Sequence, residues 1–361
     1  MEKELAALIL VGGFGTRLRP LTFTRSKPLV EFCNKPMVEY QCDALVDAGV
    51  TRIVFALSTI QEDFKKFMQE YEAKQKALNH NVKLIASIET IPMGTAGPIS
   101  LAAQYLENTT FFMLNSDVIS PYPFKELLIQ HRKNVALGAE GTIMSWKVPD
   151  SSRFGVIIHE PNGKITGFLE KPKDYGAGDI NAGHYILESS VIKRIPQKPT
   201  SIERVVFPEM VQDNTLYVMP FEGFWADIGT PESFISTLST FIPRLVPNST
   251  VLTGNNVKIG ENAQIGPNVS IGDNTVIGNN CVLKNCVIMS NVKIGNDVQV
   301  EGSIIGWSNI IGNNVIINEM SVLGEDVTVA DNTKVNGVLV SPHKSVNDAS
   351  IEAAKKKTII L

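Results

Sequence analysis

Leu5-Ala-Ala-Leu-Ile-Leu-Val11 runs directly into Gly12-Gly13-Phe14-Gly15-Thr16-Arg17-Leu18-Arg19-Pro20. Seven consecutive apolar residues predict a strand buried on both faces, as in a parallel sheet. Gly12, Gly13 and Gly15 lack Cβ atoms, so the backbone after the strand can turn sharply and aim its N–H groups at an anion. Arg17 and Arg19 add fixed positive charge, and Ser26-Lys27-Pro28 supplies a further cation on a Pro-bounded segment. Together these residues make a cradle for a polyphosphate. The loop ends Thr16-Arg17-Leu18, without the Gly-Lys-Ser/Thr of a P-loop. Leu18 stands where a dinucleotide fingerprint needs its third glycine, so hydride chemistry is not supported.

Outward from that loop, the first two-thirds of the chain alternates strand and helix patterns, which predicts an open, mostly parallel α/β sheet. Pro36 opens a helix that Gly49 ends, and Arg52–Leu57 is the next strand. An amphipathic helix over 61–77 turns Phe64, Phe67, Met68 and Tyr71 inward, and 82–87 is a third strand. It leads into the loop Glu89-Thr-Ile-Pro-Met-Gly94, with Pro98 placed to start a helix. Phe111-Phe-Met-Leu114 is a short buried strand ending in Asn115-Ser116-Asp117, an acid at a carboxyl strand end, where open sheets collect ligands. The segment 135–181 reads as β-rich, and one of its strands runs into Glu170-Lys171-Pro172. Phe224-Trp-Ala-Asp227 carries a second acid at a strand end; Pro231 starts a helix to about residue 244, and Pro243 to Pro247 looks like a linker.

From Val257 the pattern changes. Ile259, Ile265, Ile271, Ile277 and Leu283 stand six residues apart; the step resumes at Ile294 and Val300, then from Ile305 through Ile311, Ile317, Leu323, Val329 and Val335. Glycine follows many of them, and Asn262, Asn268, Asn274 and Asn280 recur at turn positions that tolerate left-handed backbone. Such a period dictates a hexapeptide β-helix. The breaks at 283–294 and 300–305 predict a distorted corner or small loop. The domain boundaries expected are 1–244 for the α/β domain, 245–256 for a linker, 257–340 for the β-helix and 341–361 for a polar tail, whose Lys355-Lys-Lys357 reads as a solvated end.

The 361 residues suffice for two cores, and a net charge of -4 argues against a general nucleic-acid binder. Cys33, Cys42, Cys281 and Cys286 form no Cys-x-x-Cys pair, and the five histidines add no zinc spacing. Reduced thiols, a short N-terminal apolar run after acids and no stretch long enough to span a bilayer predict a soluble cytoplasmic protein, with no membrane partner.

The string Gly-Gly-x-Gly-Thr-Arg-Leu-x-Pro-Leu-Thr, with Lys27-Pro28 soon after, resembles the signature of the sugar-1-phosphate nucleotidyltransferases. Phe32-Cys33-Asn34-Lys35-Pro36-Met37 narrows the likeness toward the GDP-mannose pyrophosphorylases of catalytic, beta type. The resemblance covers the whole chain. It implies a left-handed β-helix and transfer of GMP from GTP to mannose 1-phosphate, giving GDP-mannose and pyrophosphate. It also implies roles. Arg17 and Lys27 hold the triphosphate, and Leu10, Gly12, Gly13, Glu89, Gly94, Asn115 and Asp117 line the nucleotide side. Gly155, Glu170, Lys171, Asn181 and Gly183 line the sugar phosphate, with Lys171 gripping its phosphate. Asp117 and Asp227 bind one Mg²⁺, which keeps its other positions for water and phosphate. Glu89 in particular would accept the paired N1–H and N2–H₂ of guanine, since a carboxylate only accepts. Departures from the family pattern are Phe14, Ser26 and Thr90-Ile91.

The resemblance further implies a homo-oligomer built through the β-helix, with a paralogous regulatory subunit as a further partner. A non-catalytic subunit that binds the nucleotide sugar is the alternative; such paralogues lose metal or phosphate ligands, which this chain keeps. Acyl transfer on the coils would need a histidine among them, and the late His343 follows them.

Overall fold

The computed structural model describes residues 3–357 apart from 14 and 174, with side chains through 352. Phe14 and the side chains of the Lys355-Lys-Lys357 run therefore lie outside the described residues. Two compact units emerge, one of residues 1–13 and 38–225, the other of 14–37 and 226–361. No helix of the described residues is long and apolar enough to cross a membrane.

In the first unit the apolar run is strand β1 (Glu4–Leu10), with Ala6, Ala7, Leu8 and Ile9 fully buried. Parallel to it run β2 (Arg52–Leu57), β3 (Lys83–Ile88) and β4 (Thr109–Asn115), in the order β3-β2-β1-β4. Leu10 pairs with Asn115, so the glycine turn and the Asn115-Ser-Asp117 turn leave adjacent strand ends. Beyond β4 the sheet becomes antiparallel, through β5 (Gly141–Val148), β6 (Gly155–His159), β7 (Ile165–Glu170), β8 (Gly178–Glu188) and β9 (Leu216–Pro220). Here β8 is the pivot: it pairs with β4, β5 and β6, while β9 adds a parallel edge on β5.

The helix Glu62–Ala77 buries Phe64 and Phe67 against Phe55, with Tyr71 packed on Phe67, but Met68 is only half-buried, at the edge of that face. Phe124–Val135 is a helix that the β-rich reading passed over at its first residue, Val135. Its buried Phe124, Leu127, Leu128 and His131 keep helical spacing, and the polar His131 obscures the stripe.

The second unit begins with three short 3₁₀ turns, Thr16–Leu18, Leu21–Phe23 and Lys27–Leu29, and a hairpin of Glu31–Phe32 with Lys35–Pro36. Cys33 and Asn34 turn the hairpin with φ of 51° and 63°. The helix Pro231–Leu245 starts on a Thr230–Ser233 capping box and carries Pro243 in its last turn, so the expected linker begins later than Pro243.

The remaining strands stack as a left-handed parallel β-helix with ladders of six, six and five strands among the described residues. They run from Val251–Thr253 to Ser345–Val346, so His343, expected after the coils, lies at a corner of the last one, and the helix Asp348–Lys357 buries Ile351 against that coil. Inward positions such as Ile271, Leu283, Ile305, Ile317 and Val335 are fully buried. The period slips without a loop: Val251 pairs with Val269, but Val269 pairs with Cys286, a coil one residue shorter. Short corners fall at Asn285, Gly302 and Gly337, each with positive φ. Asn262, Asn268, Asn274 and Asn280 are left-handed as read, and Asn side chains bond from coil to coil, Asn268 to Asn285 at 2.9 Å.

Candidate active site

In the first unit, Gly12 and Gly13 are exposed beyond β1, and a Cβ at either would meet nothing within 4 Å. At Gly12 the protein itself gives no steric reason for glycine; the vacant space suits close approach by a ligand. Next to this turn, Gln41 is wholly buried, and its Nε2 donates to the Asn115 and Val118 carbonyls at 2.8 and 3.3 Å. That amide grips the turn carrying Asp117 on both sides.

The strand β8 breaks register between Asn181 and Tyr185. Gly183, at φ +76°, sits in the break, and a Cβ there would lie 2.8 Å from the Asn115 amide nitrogen. Asn181 donates to the Tyr185 hydroxyl at 2.8 Å and accepts from the Gly183 N–H at 3.0 Å. One N–H and one lone pair remain for a ligand. Glu170 faces Gly155 across the β6–β7 pair. Lys171 follows it at φ +50°, an unfavourable backbone for a residue before proline, with its ammonium 3.6 Å from Glu170.

On the loop after β3, the Glu89 carboxylate accepts from the Met93 N–H at 3.2 Å. Burial pushes its carboxyl above the ordinary range, against the pull of that N–H. Gly94, at φ +73°, presses on residue 200 so closely that a Cβ would lie 2.5 Å from the Thr200 carbonyl. Its glycine is thus already required by packing.

In the second unit, Thr22 donates to the Gly15 carbonyl at 2.8 Å, and Gly15 packs beside the Lys27 stem. The loop thereby folds back and brings Lys27 to Gly15. Arg17 stands 4.0 Å from Asp227, whose other oxygen accepts from the Gly229 N–H at 2.8 Å. Arg19 lays its guanidinium over Phe23 at 4.9 Å. The unit therefore joins Arg17 to Asp227, and Gly15 to Lys27.

His184 was not singled out from sequence. It is fully buried between Tyr122 and Phe124, and neither ring nitrogen has a hydrogen-bond partner among the described residues. Burial lowers its pKa to about 3, against the raising effect of the Asp117 charge. It stays neutral at ordinary pH. Its place directly after Gly183 is a signal that spacing alone does not expose.

No group of three or more His, Cys, Asp or Glu side chains gathers as a metal cage among the described residues. The strand-end carboxylates of Asp117 and of Asp227 are each a hard oxygen donor, the type taken by a cation that shares its shell with water and phosphate.

Comparison with known proteins now bears on these residues. Residues 6–242 match the nucleotidyl transferase family, and 247–359 match the GMPPB C-terminal domain. A mannose-1-phosphate guanyltransferase of Hypocrea jecorina is 46% identical over 361 residues, 95% of this chain and 97% of that relative. One from Emericella nidulans is 44% identical with the same coverage. The mannose-1-phosphate guanylyltransferase catalytic subunit beta of Drosophila melanogaster is 45% identical over 241 residues, 66% of this chain and 63% of that one. A solved structure described as a glucose-1-phosphate thymidylyltransferase from Bacillus anthracis shares the fold, with a TM-score of 0.57 at 21% identity, over 63% of this chain and 92% of that chain. Nucleotidyl transferases of this kind use a divalent metal. With both domain matches in chain order and 46% identity across 95% of its length, the chain belongs to the nucleotidyl transferase family, among the mannose-1-phosphate guanyltransferases.

Proposed function

We propose that this chain transfers GMP from GTP to α-D-mannose 1-phosphate, releasing pyrophosphate and forming GDP-mannose for glycosylation and cell-surface glycan synthesis. A sugar phosphate oxygen attacks the α-phosphorus in line; the bond from that phosphorus to the bridging oxygen breaks, and pyrophosphate carries the charge away. The protein's work is to bring two polyanions together and to spread the developing charge.

In this reading Arg17, Lys27 and the amides of Gly12 and Gly13 hold the triphosphate. Leu10, Glu89, Gly94 and Asn115 line the nucleotide. Lys171 grips the sugar phosphate from beside Glu170, 3.6 Å away. Glu170 and Asn181 take sugar hydroxyls, with Gly155 and Gly183 leaving room for the ring. Asp117 and Asp227 supply the carboxylates for Mg²⁺, which when bound offsets phosphate charge. The N-terminal two-thirds carries catalysis, and the coils join subunits into a homo-oligomer in the cytoplasm, with a paralogous regulatory subunit as a further partner. Ile259 and Ile310, exposed at 46% and 48% on the coil surface, support that assembly role. Light scattering reads it directly; a monomer at working concentration refutes it.

The observation that carries the reading is the 46% identity across 361 residues to a mannose-1-phosphate guanyltransferase. Pyrophosphate release tests it, with each nucleoside triphosphate paired with mannose 1-phosphate and glucose 1-phosphate. GTP with mannose 1-phosphate is expected to be fastest. Faster turnover with another pair overturns the assignment.

A further inference from the structure

Trp307 breaks the grammar of the coils. The carbonyls of Asn255, Asp273, Ser290, Trp307 and Glu325 each accept from the backbone of the following coil, so these residues occupy one corner, coil after coil. Four are polar, as a solvated corner requires. Trp307 is 1% exposed. What covers it is the segment after the glycine loop, which belongs to the same unit.

Arg25 lays its guanidinium over the indole, 4.2 Å from the ring centroid, and reaches Glu325 of the next corner at 3.3 Å. The indole N–H donates to Glu31. Burial pushes the Glu31 carboxyl up, and the charge of Arg25 pulls it down. Two further anchors follow. The Asn34 amide donates to the Ile271 carbonyl at 2.7 Å and accepts from the Ser270 hydroxyl at 3.1 Å. Phe32 packs edge-on against Phe234, with ring centroids at 4.9 Å.

Between Arg25 and Glu31 lies the turn that carries Lys27, closed by Leu29 N–H to Ser26 at 2.8 Å and Val30 N–H to Lys27 at 3.2 Å. One indole thus fixes both ends of the turn. A lysine on a flexible stem gains most from such fixing, because misplacing a charged group by about 1 Å at a phosphoryl centre costs on the order of 10²-fold in rate.

We propose that Trp307, Arg25, Glu31 and Glu325 form a positioning clamp through which the β-helix sets the Lys27 turn. The coils then serve the nucleotide site of their own chain, besides any role in assembly. The proposal rests on reading Lys27 as a triphosphate ligand.

The test joins kinetics to amide hydrogen exchange in the full-length protein. Trp307→Ala should lower kcat/KM for GTP roughly 10-fold, the scale of a desolvated cation–π contact, chiefly through KM for GTP. KM for mannose 1-phosphate should stay within about twofold. Exchange at residues 26–30 should speed up while coil amides at 269–288 hold. Trp307→Phe keeps a ring face for Arg25 and should recover part of the loss; Arg25→Lys lacks the planar cation and should not. Arg25→Ala removes the same stack with the coil sequence untouched, should the tryptophan variant fail to fold. Unchanged exchange at 26–30, or unchanged KM for GTP, in folded variants overturns the clamp. A wild type that turns over another nucleotide and sugar phosphate instead overturns the functional reading, and the exchange result still judges the clamp.

Discussion

At Glu89 the carboxylate already has a partner in the Met93 N–H. Glutamine keeps an oxygen for that N–H, so Glu89→Gln leaves the loop in place while it removes the charge and exchanges the second acceptor for an amide donor. GTP efficiency should then fall more than that for UTP or dTTP; kcat/KM ratios that do not move remove Glu89 as reader of the base. The carboxyl is raised above its ordinary 4.5, so guanine preference should fade, as pH drops, at a pH above 4.5. Asp117→Asn or Asp227→Asn should each cost about 10²-fold or more in turnover with an unchanged melting curve. EDTA should silence the wild type, and full turnover in EDTA would sink the metal assignment. The sequence singled out Arg17, Lys27, Asp117 and Asp227 by charge beside glycine or at a strand end, and Lys171 through the family resemblance, and the variants above judge the metal roles of Asp117 and Asp227. It did not carry the left-handed Lys171 or the buried His184, which are set by partners distant in sequence, nor the doubly engaged Asn181, whose partners Gly183 and Tyr185 come within reach through the break in register.

Among the elements, β8 shows how a strand is shaped by one residue. Gly183→Ala would meet both a positive φ and the Asn115 amide, and should destabilise by about 1–3 kcal/mol in thermal melts. Less than a few tenths would show that the break in register relaxes freely. At the far end of the same strand, burial pushes Glu188 up, but hydrogen bonds from His131, Lys3 and Thr110 outweigh it and bring its pKa to about 2. The folded value lies below the unfolded one, so this group's stabilisation is present above about pH 4.5 and is lost as pH falls toward 2. Glu188→Gln should flatten the acid limb of a stability–pH curve over that window. The hexapeptide coil was legible in its period and its asparagine corners, because a six-residue step has one architecture; the breaks at 283–294 and 300–305 were not, since they shorten the coil without adding a loop. The helix Phe124–Val135 was not, since His131 stands on its buried face and bonds Thr142 there.

For the whole molecule, neighbours in the chain are not always neighbours in packing. Residues 14–37 follow β1 directly, yet they pack with residues 226–361. No local pattern announces this; the one sequence sign is a tryptophan at a polar coil corner. That arrangement sets a clock on biosynthesis. Glu31 and its indole partner are 276 residues apart. A ribosome adding about 5–20 residues per second leaves the Lys27 turn without its clamp for roughly 14–55 s. Until then the nascent chain carries residues 14–37 without the coil corner that covers them. Stalled chains whose last emerged residue precedes Trp307 should hold GTP roughly 10-fold or more weakly on a filter than chains released a few coils later. Equal retention by the shorter chains would show that the segment sets itself. If it does not, GTP goes first to molecules whose far end has left the ribosome, and half-made copies compete poorly for the cell's nucleotide.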